Sequence, residues 1–320
     1  MSPDDVLNEL TRQGIIPTQQ RDKIAEFERL KPFSLHWELR AMLYAGVLLL
    51  SGGLGLLIYE NYDQIGHGIL LGGIALLCAG CFAFAWQHRP PLSADAVTSR
   101  SPFGDYALVL GCLLFLALEG YAQYEYDIFG TRYGLVTFLP ALLFLGLAYR
   151  FDHRGVLGMA LTALVSWVGL TVRPLDFFFK TNFFDQGVVF SAILLSLVLI
   201  GAALWLERQR IKPHFTYTYL SIAGNVLLIA LLAGVFNFEE LRVWFVVGLA
   251  VACFGFDRYA RRERSFLFLL MSAVYGYIGA TYLLSFLEID TNLVFFYFVA
   301  TGVGLIAYLS RYRRYLSIKS

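Results

Sequence analysis

The sequence predicts an all-α integral membrane protein, a polytopic bundle of about ten transmembrane helices with a small helical hairpin at its N-terminus. Three observations predict it. Of 320 residues, 58% are hydrophobic and 15% are charged, whereas soluble domains carry roughly 25% charged residues. Long uncharged runs recur along the chain, each near the ~20 residues that a helix rising about 1.5 Å per residue needs to cross about 30 Å of hydrocarbon. Lys and Arg gather in every second connection, the pattern of a chain threading back and forth through a bilayer.

The chain opens with a polar segment, residues 1–38. Ser2 suits a helix cap, Pro3 its first position, and Asp4 and Asp5 its first turn, where carboxylates complement the helix dipole. Val6, Leu7 and Leu10 share a face, and Gly14 is placed to stop the helix. A second helix is expected after Pro17 and Thr18, with Ile24, Phe27 and Leu30 at helical spacing and Pro32 beyond its end. The segment is small and mixed in charge, and a membrane chain follows it. A packing or docking hairpin is therefore expected rather than a DNA-binding helix-turn-helix, and no nucleic acid is expected as a partner.

Ten spans follow, at residues 41–59, 67–86, 106–123, 133–149, 155–172, 187–206, 215–236, 241–256, 265–286 and 291–310. The first is too long for the apolar core of a cleaved signal and is expected to act as a signal-anchor. The eighth is short and has Arg242 at its edge. Residues 39–310 divide into two five-span halves, 39–172 and 187–310. Because five is odd, the second half is expected to run inverted relative to the first, as in many secondary carriers. A basic tail, residues 311–320, follows the last span.

Charge sets the expected orientation. All but four of the 25 Lys and Arg lie in the N-terminal segment, in the alternate connections around Arg89, Arg150, Arg210 and Arg258, or in the tail. The exceptions are Arg132, Arg173, Lys180 and Arg242. A basic excess marks the cytoplasmic side, so both termini are expected there. The opposite connections are acidic and aromatic, with Glu60, Tyr62 and Asp63, then Tyr124, Glu125 and Tyr126, then Phe183, Phe184 and Asp185, then Phe238 and Glu239. Anchoring at the headgroup level explains most of these aromatics. An anionic, aromatic vestibule for cations or sugars is the alternative.

The run Leu10-Thr11-Arg12-Gln13-Gly14-Ile15-Ile16-Pro17, followed by Gly52-Gly53-Leu54-Gly55 and Glu60-Asn61-Tyr62-Asp63, resembles domain-of-unknown-function family 2157. That group of prokaryotic membrane proteins has an N-terminal helical hairpin with a Gly-Ile turn and a glycine-rich first span. The resemblance implies a bacterial inner membrane. It implies no activity, cofactor or site residue.

Within the spans, few groups carry chemistry. Glu119 follows an apolar run near the outer end of the third span, where a carboxylate costs a few kcal/mol unless it is paired, protonated or wet. It is a candidate proton or cation site, with Arg132 or Arg173 as counter-charge; a structural pair at the interface is the other reading. Asn225, near mid-span in the seventh run, needs a partner at that depth: a neighbouring helix, or a substrate. Tyr275 and Tyr277 put two hydroxyls into the ninth run, lining a cavity or meeting a neighbouring acceptor. Cys78 and Cys81 have redox spacing, but on an apolar helix they are expected to pack, and all four cysteines lie in spans. Small residues four apart, Gly68 with Gly72, Ser51 with Gly55 and Gly276 with Ala280, are candidates for close helix approach. The five histidines are scattered without metal-ligand spacing, so neither metal nor cofactor is expected. No phosphate loop, nucleophile elbow or zinc-protease motif is present. A small-solute or cation transporter is the leading function, and a scaffold acting on a protein partner through the hairpin is the alternative.

Overall fold

Helix is the only regular structure among the described residues of the computed structural model, as expected where lipid offers the backbone no hydrogen-bond partners. The described residues are 10–14, 17, 20–24, 41–53, 56, 66–97, 102–130, 132–172, 186–284, 286, 291–310 and 312, without the side chains at 291–295 and 305. Most of the expected N-terminal hairpin, Arg173, the acidic turns at 60–63, 176–185 and 288–290, and nearly all of the basic tail lie outside them.

The chain falls into two compact units, Met1–Leu50 and Ser51–Ser320. In the first, residues 10–12 are helical, and Gly14 has φ 69° while its N–H donates to the Thr11 carbonyl at 3.0 Å. This is the left-handed geometry that ends helices and that glycine adopts without steric cost. The Pro17 carbonyl then accepts from the N–H groups of Gln20 and Arg21, opening a new helical turn. An apolar helix, α1 (Ala41–Gly53), begins in this unit.

The second unit contains α2 (His67–Gln87), α3 (Pro102–Tyr126), α4 (Leu135–Phe151), α5 (Arg154–Val172), α6 (Gln186–Arg208), α7 (Thr216–Asn237), α8 (Arg242–Glu263), α9 (Phe266–Leu284) and α10 (Thr291–Ser310). Each of the ten apolar runs therefore holds a described helix. Seven, α2, α3 and α5 to α9, are long and apolar enough to cross a membrane; α1, α4 and α10 give shorter apolar segments. Two helices outrun their hydropathy. α3 has 25 residues, about 38 Å at 1.5 Å per residue, longer than the hydrocarbon. α8 continues past Phe256 through Asp257, Arg258, Arg261 and Arg262, with Asp257 and Arg261 paired at 2.8 Å one turn apart. Hydropathy marks where lipid ends, whereas the hydrogen-bond ladder of a helix continues into water.

Helices adjacent in sequence pair most extensively: α2 with α3, α4 with α5, α6 with α7, and α8 with α9. α7 is the hub and also packs on α5, α8 and α9. In its apolar window 67% of residues are buried, against 17–39% in the other six long helices. Its inward residues explain this, because Ala223, Gly224, Ala230, Ala233 and Gly234 are small and admit neighbouring rings. A Cβ on Gly224 would meet Phe256 of α8 at 2.5 Å, and one on Gly234 would overlap the ring of Phe245. Gly111 of α3 likewise lies under Phe82, and Gly279 of α9 under Leu249.

These are not the glycines that spacing selects. Nothing lies within 4 Å of a Cβ built on Gly68 or Gly72, and Gly276 meets only Cys253 Sγ at an ordinary 3.7 Å. Spacing shows which small residues share a face; it does not show which face meets a helix.

The two kinds of glycine should separate on substitution. Gly234→Ala forces Cβ into the Phe245 ring, which has Phe190 and Phe238 beside it with ring centroids 5.7 Å away on each side. It should destabilise by about 1–3 kcal/mol. Gly72→Ala adds a methyl in open space and should leave stability unchanged or slightly raised. Thermal unfolding of the purified proteins in detergent, followed by size-exclusion recovery, checks this.

Candidate functional site

Glu119 lies on the face of α3 that carries Leu108, Cys112 and Phe115, spaced by four, three and four residues. That face is turned into the protein: Leu108 and Cys112 are fully buried, and Phe115 meets Phe144 of α4 edge-on with centroids 6.2 Å apart. Glu119 continues the stripe and is 8% exposed, and among the described residues neither carboxyl oxygen has a hydrogen-bond partner. Arg132, one expected counter-charge, is exposed and makes no bond to it. Gln123, one turn on, is committed elsewhere. Its amide donates to Asp127 Oδ1 at 2.7 Å and to the Gly130 carbonyl, and its oxygen accepts from the Phe129 N–H, closing the loop after α3.

The neighbouring face of α3 meets the start of α2. His67 Nδ1 is 2.8 Å from the Tyr121 hydroxyl, and His67 Nε2 is 3.3 Å from Glu125 Oε1. One imidazole thus bridges two side chains a turn apart. The sequence shows His67 only as one of five scattered histidines, because its partners are more than fifty residues away. Among the described residues no cluster of His, Cys, Asp or Glu could hold a metal. Cys78 points its thiol at the Gly111 carbonyl, 3.4 Å away, and the four cysteines are free.

The other expected polar groups resolve into pairs. Asn225 on α7 donates to the Ser221 carbonyl at 2.7 Å, and its oxygen accepts from the Tyr275 hydroxyl of α9 at 3.0 Å. Tyr277 points to a different neighbour and meets the Thr301 hydroxyl of α10 at 3.1 Å. Asn225 and Tyr275 therefore come together, while Tyr277 does not join them, and no hydrogen bond links Glu119 to either. Arg173 lies outside the described residues.

A cluster that sequence reasoning missed lies at the opposite end from Tyr121 and Glu125. α4 ends at Asp152, whose φ of 56° turns the chain sharply so that two residues link α4 to α5. The Asp152 side chain is 4% exposed. Oδ1 accepts from Lys212 Nζ and from His214 Nε2, both at 2.7 Å, and Oδ2 from the Val97 N–H at 2.6 Å. The Lys212 N–H in turn donates to the Ala94 carbonyl. One carboxylate thus ties together the α2–α3, α4–α5 and α6–α7 connections, three of the basic loops. Burial pushes its pKa up, but the hydrogen bonds from Lys212, the Val97 N–H and His214 outweigh that and hold it below the usual value. Burial pushes the neighbouring His153 down, opposed by Asp105, and its Nδ1 accepts the Val156 N–H as a neutral ring would. The sequence signal, charged residues in alternate loops, showed the shared side but not this convergence.

Residues 8–157 match the model of a family described as Predicted membrane protein (DUF2157). The match runs from the N-terminal segment into the first turn of α5, and over that length the resemblance to this family is shown. No curated protein and no solved structure matches the chain. The protein is an all-helical membrane protein with several apolar helices.

Two outcomes follow. Asp152→Asn leaves Lys212 buried without its counter-charge and should cost about 3–5 kcal/mol at neutral pH. Because the Asp152 pKa is lowered in the fold, its contribution is present above the unfolded value of about 3.9 and is lost as pH falls through the lower folded value. Melting curves across that acid range should therefore converge for wild type and variant. Separately, a double-mutant cycle of Asn225→Leu and Tyr275→Phe should give a coupling of about 0.6–2 kcal/mol in detergent unfolding. Coupling near zero would mean that the bond does not join α7 to α9.

Proposed function

We propose that this protein is a multi-pass permease of a bacterial inner membrane that moves protons or small cations, with Glu119 as the ionisable group. The observation that carries this reading is the placement of Glu119: buried on the inward face of a helix long enough to cross a membrane, with both oxygens unpartnered. Ionisable residues in such segments mark ion and proton paths by default. Ten spans, a five-plus-five division and cytoplasmic termini belong to the same reading. The basic loops gathered around Asp152 then face the cytoplasm. Asn225 and Tyr275 form a polar pair on the hub helix that a solute path would pass, and Tyr277 and Arg173 are further candidates along it.

One observation favours a second reading, a non-transporting scaffold that meets a protein partner through its N-terminal hairpin. Asn225, Tyr275 and Tyr277 are all engaged by neighbouring helices, which is how polar residues fasten a bundle.

Flux decides between them. Purified protein in liposomes with an internal pH-sensitive dye should dissipate an imposed proton or cation gradient faster than empty liposomes. Glu119→Gln should reduce the rate at least tenfold with folding retained. Equal rates for wild type and Glu119→Gln would remove this residue from the mechanism, and wild-type rates equal to those of empty liposomes would remove the permease reading.

A further inference from the structure

At the basic end of α2 and α4, two arginines converge on one indole. Trp86, in the last turn of α2, is 50% exposed and rests edge-on against Phe151, the last residue of α4. The Arg89 guanidinium lies 4.6 Å from its ring centroid, and that of Arg150 lies 5.4 Å away. Arg150 is fixed further by donating Nη1 to the Pro90 carbonyl at 2.9 Å. The two positive charges thus sit on one ring, within the ~10 Å over which salt screens charge.

No carboxylate answers them among the described residues. Asp152, the nearest in sequence to Arg150, is saturated by Lys212, His214 and the Val97 N–H. Asp105 acts electrostatically on His153. The aromatic ring attracts each cation but leaves its charge intact. Two guanidiniums on one ring, each with N–H groups free among the described residues, are the donor set that phosphate oxygens fit.

The position supplies the ligand's source. Tryptophan concentrates at the headgroup level of bilayers, and Arg89 lies two residues past the end of α2, on the side away from the hydrocarbon. We propose that Trp86, Arg89 and Arg150 form a binding site for the phosphate of an anionic phospholipid in the leaflet at the Asp152 end of the bundle. The headgroup phosphate bridges the two guanidiniums, and the acyl chains run along the exposed residues Leu76, Ala79 and Ala83, on the same side of α2 as Trp86. The assignment is independent of whether the protein transports anything.

Full-length protein in detergent, titrated with phosphatidylglycerol or with phosphatidylcholine of the same acyl chains, tests it by native mass spectrometry and by the shift in melting temperature. Phosphatidylglycerol should be retained and should raise the melting temperature, and phosphatidylcholine should do neither. Arg89→Gln should weaken phosphatidylglycerol retention about fivefold, and the Arg89→Gln, Arg150→Gln pair by more than tenfold, if each arginine contributes as a basic residue near a membrane surface does. Arg89 is exposed, so the single variant reads the site even if Arg150→Gln disturbs folding. Equal retention of both lipids, or unchanged phosphatidylglycerol retention in Arg89→Gln, would overturn the site. Inorganic phosphate matching the lipid's thermal shift at the same concentration would place the anion in solution and overturn the lipid assignment.

Discussion

Hydrocarbon cannot hydrogen-bond a peptide group, and that constraint governs everything else in this chain. A buried, unpaired N–H or C=O costs several kcal/mol, so each apolar run closes its hydrogen bonds internally as helix. Pro140 removes a backbone donor inside α4 and is buried, a break that membrane helices accept more readily than soluble ones do. Two of the connections at the Asp152 end are tight. Two-residue corners link α4 to α5 and α8 to α9, each using a left-handed residue, Asp152 or Arg264, and each returning an N–H to the last helical turn.

Once helices exist, hydrophobicity does little to arrange them, because lipid tails are as apolar as a leucine. Arrangement comes from close packing and from a few polar contacts. The hub shows both. Gly224 and Gly234 let α7 take the rings of Phe256 and Phe245 against its backbone, and Asn225 reaches Tyr275 on α9. At one end, Asp152 gathers three connections through buried charge. At the other, Arg242 lies over Phe286 at 4.7 Å and donates to the Val235 carbonyl, fastening α8 to the end of α7.

Polar groups in such a bundle divide by whether the fold gives them a partner. Asn225, Gln123, His67 and Asp152 all have one, and each joins two segments. Glu119 has none among the described residues, though it lies on the same inward face as the fully buried Leu108 and Cys112. A carboxyl left bare on an inward face costs a few kcal/mol unless it is protonated or wet, which is what the permease reading proposed above builds on. The paired arginines over Trp86 are a second such case, positive charge that no carboxylate among the described residues answers.

The amino-acid sequence by itself determined that the chain is helical, where each apolar segment runs, which connections are basic, and that Gly14 ends a helical turn. These are local properties, set by hydropathy over some twenty residues and by the backbone freedom of one glycine. Only the tertiary structure decided which faces meet. It passed over Gly68 and Gly72 in favour of Gly224 and Gly234, brought Tyr275 but not Tyr277 to Asn225, denied Glu119 its expected Arg132, and drew Asp152, Lys212 and His214 from loops sixty residues apart into one cluster. The reason is rotational. An apolar helix in lipid has no wet side to reveal which way it faces, so its orientation about its own axis is settled by the shapes and partners of its neighbours, which no single stretch of sequence contains.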